Sequence, residues 1–377
     1  MGPMQQLRAA TAALVVVVSL PFLQGAAVAN AAPVSPGSVV EAATSVGASA
    51  GPMAGSAEAI PSGSNAGSVG SLDAGSGLAT SSDAPAGAPG SLGALGSLAP
   101  SPPIESCPGP APQVRTFGDT PAPVLGWSEN LAFDDLGRVW VSKTFLDRVD
   151  AYSPDGRVVD SVAVRAPGGI ALGPDGRMHV AAGTGYLADR SDVVTFDPAA
   201  DGPEARLEAE LDSRKNGLAV DADGNRYLTS LDDHTLTKVA PDGQVDQEWS
   251  SRAAIGVSNG IAIEGDTAYV TQSTSQTVLL SVPLDRPDES TETVLTAPPA
   301  VARGLDDLAV TDDAFYVTSW TTGEVFHVER DTGEACVAVS GIPRATAVVV
   351  ADGFGDFGER DLLVTSLHGP IRHVTLP

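Results

Sequence analysis

Six times along the chain a polar or small residue stands directly before a short apolar run: "ENLAF" from Glu129, "GGIAL" from Gly168, "NGLAV" from Asn216, "NGIAI" from Asn259, "DDLAV" from Asp306 and "ATAVV" from Ala345. After each of the first five comes a turn rich in Asp and Gly ("DDLG", "GPDG", "DADG", "EGD", "TDD"), residues that tolerate the positive φ of tight hairpins. A β-branched and aromatic second run follows ("RVWVS", "RMHVA", "RYLTS", "AYVTQ", "FYVTS", "LLVTS"), then a third strand and, in the first five copies, a fourth. Successive copies are 39, 48, 43, 47 and 39 residues apart, the period of a four-stranded propeller blade. The pattern predicts an all-β fold, a six-bladed β-propeller of four-stranded blades. The sixth copy stops at Pro377 after its third strand, so its fourth must come from elsewhere. "QVRTFGD", Gln113 to Asp119, precedes the first copy and is predicted to close the last blade, which removes the open edge between them.

In such a ring the first strand of each blade lines the axis, so the residues opening the six copies face a common channel: Glu129, Gly168, Asn216, Asn259, Asp306 and Ala345. Loops after the second strands open on the same face and bring Ser142 and Lys143, Asp232 to His234, Gln272 to Ser275, Ser319 and Trp320, and His368. Carboxylates converging on an axis repel one another and lose hydration, and a cation resolves both penalties. Carboxylate and carboxamide oxygens suit a hard divalent ion, calcium before magnesium in an extracellular setting, so Glu129, Asn259 and Asp306 are the expected metal ligands. Asn or Asp ahead of a strand also makes turns to its own backbone, an alternative reading of each position taken alone. His179, His327 and His373 fall within strands, whereas His234 and His368 fall in mouth loops. There is no G-x-S-x-G elbow, P-loop, H-E-x-x-H or EF-hand loop.

The remaining composition places this ring outside the cell. Residues 1–31 read as a signal peptide: Arg8, the apolar stretch Ala13 to Leu23, and Ala29 and Ala31 at a cleavage position. Residues 32–105 are almost wholly Ala, Gly, Ser, Pro and Val, a disordered linker that buries too little apolar surface to offset its ordering entropy. The propeller therefore occupies 106–377. A formal net charge of −26 excludes nucleic acid as a partner, and no later stretch approaches membrane-spanning length. Export lets a disulfide persist, and Cys107 and Cys336 are expected to pair, tying the closing strand of the sixth blade to the outer strand of the fifth.

The motifs "SEN" at Ser128 to Asn130, "RKNG" at Arg214 to Gly217, "SNGIA" at Ser258 to Ala262 and "LDDLAV" at Leu305 to Val310 resemble those of the gluconolactonase, senescence marker protein and luciferin-regenerating enzyme propellers. The resemblance spans about residues 113–377. It implies that Glu129, Asn259 and Asp306 hold a divalent ion while Arg214 and Asn216 face a sugar-acid lactone. Lys215, Gly217 and Asp307 depart from the family pattern. The expected function is a secreted, monomeric, metal-dependent hydrolase of a small lactone, with Asp306 or His234 taking the proton from water. The alternative is a non-catalytic secreted binding module, set at the cell wall, in which Ca²⁺ is structural.

Overall fold

The computed structural model describes residues 104–118, 126–185, 188–272, 278–295 and 304–377. The signal peptide, nearly all of the linker, Asp119 and the mouth-loop residues Ser273 to Ser275 lie outside the described residues. Alternating apolar strands broken by Gly-containing hairpins fold into six antiparallel sheets. Their innermost strands are Ser128–Phe133, Pro167–Leu172, Leu218–Val220, Ile261–Glu264, Leu305–Val310 and Ala345–Val350. Each packs against the next, and the sixth against the first, so the ring is closed. Gln113–Phe117 pairs antiparallel with Ile371–Thr375 and completes the sixth blade as expected. Among the described residues no helix is long and apolar enough to cross a membrane.

The hairpins at the base are stapled by carboxylates. Asp134 accepts from the backbone N–H groups of Leu136 and Arg138 and from Trp140 Nε1 at 2.8 Å, six residues on. Asp221 repeats this in the third blade, with Asp223 and Asn225 N–H groups and the Tyr227 hydroxyl at 2.9 Å. Each carboxylate thereby satisfies the turn and anchors a buried aromatic ring of the second strand.

The third blade departs from the expected pattern. It has three strands, and its outer position is taken by the helix Gln247–Arg252. Asp246 caps this helix by accepting from Trp249 N–H at 3.0 Å, while Trp249 packs on Tyr227 and donates to Leu284 O at 2.7 Å. The cap and the buried ring together outweigh strand pairing here.

Adjoining blades are joined at the axis by a repeated hydroxyl. Thr229, Thr271, Thr318 and Thr365 each accept from a backbone N–H of their own inner strand (Gly217, Gly260, Asp307 and Ala347) at 2.8 to 3.0 Å. Each then donates to a ring carbonyl of the following blade, respectively Asn259, Asp306, Thr346 and Glu129. The approach is so close that a Cβ on Gly260 would overlap Asp307 Cα, and one on Gly217 would stand 2.5 Å from Asn259 O. Glycine after the ring asparagine is therefore a packing requirement.

Cys107 and Cys336 are bonded, with 4.8 Å between their Cα atoms. Residues 105–107 run beside Ala335–Val339, with Cys107 N–H on Val337 O at 2.9 Å and Val337 N–H on Glu105 O at 2.7 Å. One short segment thus covers the outer edge of the fifth blade before the chain enters the sixth.

Candidate functional site

Register fixes which residues form the axial ring. Ser128 pairs with Lys143, Pro167 with Ala182, Leu305 with Ser319 and Ala345 with Ser366, each followed by a bulge. Ala345 is therefore equivalent to Ser128, and the sixth ring position belongs to Thr346, one residue beyond the expected Ala345. The Thr318 bond to Thr346 O, matching the Thr271 bond to Asp306 O, confirms the shift. The ring reads Glu129, Gly168, Asn216, Asn259, Asp306 and Thr346. Thr346 turns its hydroxyl away, to Ser128 O at 2.6 Å.

The four expected oxygen-bearing residues do come together. Glu129 and Asp306 are each 5% exposed and Asn259 7%. The Glu129 carboxyl accepts from Trp127 Nε1 and from the Asn216 side chain, and Asp306 accepts from Asn259. Burial pushes Glu129 up to about 7 despite these bonds. Asp306 is driven well above its usual range, first by burial and then by the charges of Glu129 and Asp307.

A second tier lies one residue further along the inner strands. Its Asn130 Nδ2 donates to Asp307 Oδ2 at 3.0 Å, joining the first and fifth blades across the axis. The other members described in this tier are Gly169, Gly217, Gly260 and Ala347. Asp307, a departure from the family pattern, is thus matched by a second polar residue that bonds it. Burial lifts its carboxyl to about 7. Beyond this pair the axis opens into a channel of about 380 Å³, lined by Ala132, Ala171, Ala219, Ala262, Ala309 and Val349 among others.

The donor chemistry of the ring fits a hard divalent cation. Two buried like charges are unfavourable together without one, and the Asn216 and Asn259 carboxamides present oxygen in place of N–H when turned over. Among the described residues no three His, Cys, Asp or Glu side chains gather at metal-holding geometry, so the donors available are two carboxylates plus carboxamide oxygens.

Around the mouth, Arg214 is held in a two-pronged pair with Asp232 at 2.7 and 2.8 Å. Lys215 Nζ donates to Asp233 at 2.7 Å. Trp127 meets Phe145 edge-on at 4.8 Å. His234 is exposed and contributes its backbone carbonyl to Ile255 and Gly256 N–H groups; its ring makes no bond to the axial cluster. His368 is likewise exposed. Sequence reasoning missed the bond of Trp127 to Glu129, the pairing of Asn130 with Asp307, and the relay threonines. The threonine recurring in "LTS", "VTQ", "VTS" and "VTS" at the ends of the second strands was the visible signal for the last.

Lys143 does not reach the mouth. Its ammonium is buried between the first and sixth blades, 2.8 Å from Ser128 Oγ and 5.2 Å from the Tyr152 ring centroid. Burial lowers it from 10.5 to about 8, partly countered by Asp150. A lysine depressed in the folded protein opposes folding while protonated, below about pH 8, and the penalty fades as pH rises toward the unfolded value of 10.5. Lys143→Met should raise stability at pH 7 by about 1–3 kcal/mol, with the advantage gone above pH ~10.5. Thermal melts of both proteins from pH 6 to 11 check this; a less stable variant at pH 7 refutes it.

No family model matches the chain, and no curated protein matches it. Solved structures share the fold. A gluconolactonase of Xanthomonas campestris is 17% identical, over 74% of this chain and 99% of that one, with a TM-score of 0.51. A luciferin-regenerating enzyme is 16% identical, over 70% of this chain and 95% of that one, with a TM-score of 0.52. A Thermus thermophilus protein provisionally named an oxidoreductase (glucose dehydrogenase) is 14% identical, over 70% and 100%, also at 0.52. The first two carry names to which the motifs pointed. At these identities the likeness establishes the class, a six-bladed β-propeller, and the variety of activities shows that function must be argued from the site.

Proposed function

We propose that this propeller is a secreted hydrolase of a small, sugar-acid-like lactone, working at the mouth of its axis with a divalent cation, calcium, held by Glu129, Asn259 and Asp306. The observation that carries the reading is the buried pair of Glu129 and Asp306, flanked by Asn216 and Asn259 at one level of the ring. The gluconolactonase name of a structural neighbour and the "SEN", "RKNG", "SNGIA" and "LDDLAV" motifs support it.

A bound cation would polarise the ester carbonyl and offset the charge that develops on its oxygen. The chain supplies the rest. Arg214, fixed in orientation by Asp232, and the Asn216 carboxamide direct hydroxyl groups of the ligand. Asp306, at the level of the ion, takes the proton from the attacking water, and the Trp127 indole N–H holds the Glu129 carboxyl in place. His234, on the rim, is the alternative proton acceptor. Gly168 and the turned-away Thr346 leave two ring positions without reactive groups, which favours the second reading, a binding module with a structural ion.

Gluconolactone hydrolysis by the full chain should fall to background with a chelator and return with calcium. Equal rates in both conditions remove the hydrolase mechanism.

A further inference from the structure

Arg344 stands in the link between the fifth and sixth blades, two residues before the ring position Thr346. Its guanidinium carbon lies over the Trp320 ring, 3.8 Å from the centroid. Trp320 follows the second strand of the fifth blade, so both residues belong to the mouth face. Arg344 is held at φ 57, a left-handed conformation that disfavours residues with a Cβ, and its carbonyl accepts from Leu367 N–H at 3.0 Å.

Among the described residues this guanidinium makes no hydrogen bond or ion pair. That is unusual in a chain of net charge −26, where acids abound. Arg214 and Lys215, two mouth cations among the described residues, are closed on Asp232 and Asp233. Stacking on an aromatic face fixes the plane of the guanidinium and leaves its N–H edges to be satisfied from outside. The fork of donors on such an edge matches a carboxylate.

We propose that Arg344, stacked on Trp320, is a specificity-determining residue that captures the carboxylate of a small-molecule ligand. A ligand held at Arg344 by its carboxylate presents its other end to the axial ring, two residues further along the same chain segment. The substrate class then narrows to lactones that bear a carboxylate besides the ester. This rests on the proposed hydrolase reading only for the bond broken, not for capture of the anion.

The test compares gluconolactone with the lactone of glucaric acid as substrates, and measures adipate binding by calorimetry, using the full chain, Arg344→Gln and Arg344→Lys. The native protein should prefer the acidic lactone and bind adipate less tightly as salt rises. Arg344→Gln should raise KM for the acidic lactone and Kd for adipate about tenfold or more, the loss expected for a charge-assisted bond, with kcat and KM for gluconolactone unchanged. Arg344→Lys should fall between. Melting temperature should hold or rise in Arg344→Gly, because glycine relieves the left-handed backbone. Equal use of the two lactones by the native protein, or an equal change in both on Arg344→Gln, overturns the proposal. If neither lactone is hydrolysed, Arg344-dependent adipate binding retains it while removing the hydrolase reading, and absence of adipate binding ends it.

Discussion

Asp306→Asn should melt at a higher temperature than the native protein in chelator, yet gain nothing when calcium is added. The side chain keeps its size and its contact with Asn259 while one of two buried, mutually repelling carboxylates is removed. The cost of burying one ring carboxylate can be gauged from Glu129, whose rise from 4.5 to about 7, caused by burial, corresponds to about 3 kcal/mol against its charged form. Relief of part of that should raise the melting temperature by about 5 °C in a domain this large. Calcium should stabilise the native protein alone, since a ligand binding only the folded state adds stability in proportion to its affinity. Gluconolactone hydrolysis should drop about a thousandfold, the several kcal/mol that a carbonyl-polarising ion supplies. A variant less stable than the native protein in chelator, with its calcium response intact, refutes the shared-ion account.

Cys107→Ser should destabilise the propeller more than any single change away from the axis. The bond closes a separation of 229 residues, for which the chain-entropy estimate is about 5 kcal/mol and practical values are about 3–5 kcal/mol. The loss should be local in its first effect. Residues 105–107 lie along the outer strand of the fifth blade, and Gln113–Phe117 then completes the sixth, so the bond holds both pieces against fraying. Hydrogen exchange should accelerate first in Gln113–Phe117 and Ile371–Thr375. Cys336→Ser and the double variant should match Cys107→Ser in melting temperature, and reduction should reproduce all three. A melting temperature unchanged in every one of these refutes the role.

The blade count, the closing strand, the disulfide and five of the six ring positions were legible because each follows from period or residue type: Asn216 and Asn259 announce themselves ahead of apolar runs. The sixth register was not, because "ATAVV" contains no strongly polar letter to mark which residue faces the axis; only the bulge and the Thr318 bond assign Thr346. The helix at Gln247–Arg252 stays hidden behind the strand pattern because its signals, Asp246 as cap and Trp249 as anchor, depend on a Tyr227 placed by another strand. Asn130 and Asp307 are separated by 177 residues, and nothing local in either shows that one answers the other.

The order of synthesis gives the closing strand a further meaning. Gln113–Phe117 is among the first parts of the propeller to leave the ribosome, and its partner Ile371–Thr375 is the last. The circle therefore cannot be finished blade by blade during translation, and its final seam waits for the last strand of the propeller. A nascent chain stopped short of Ile371 carries an unmated β-edge into solution, which makes loss of that one strand an aggregation hazard.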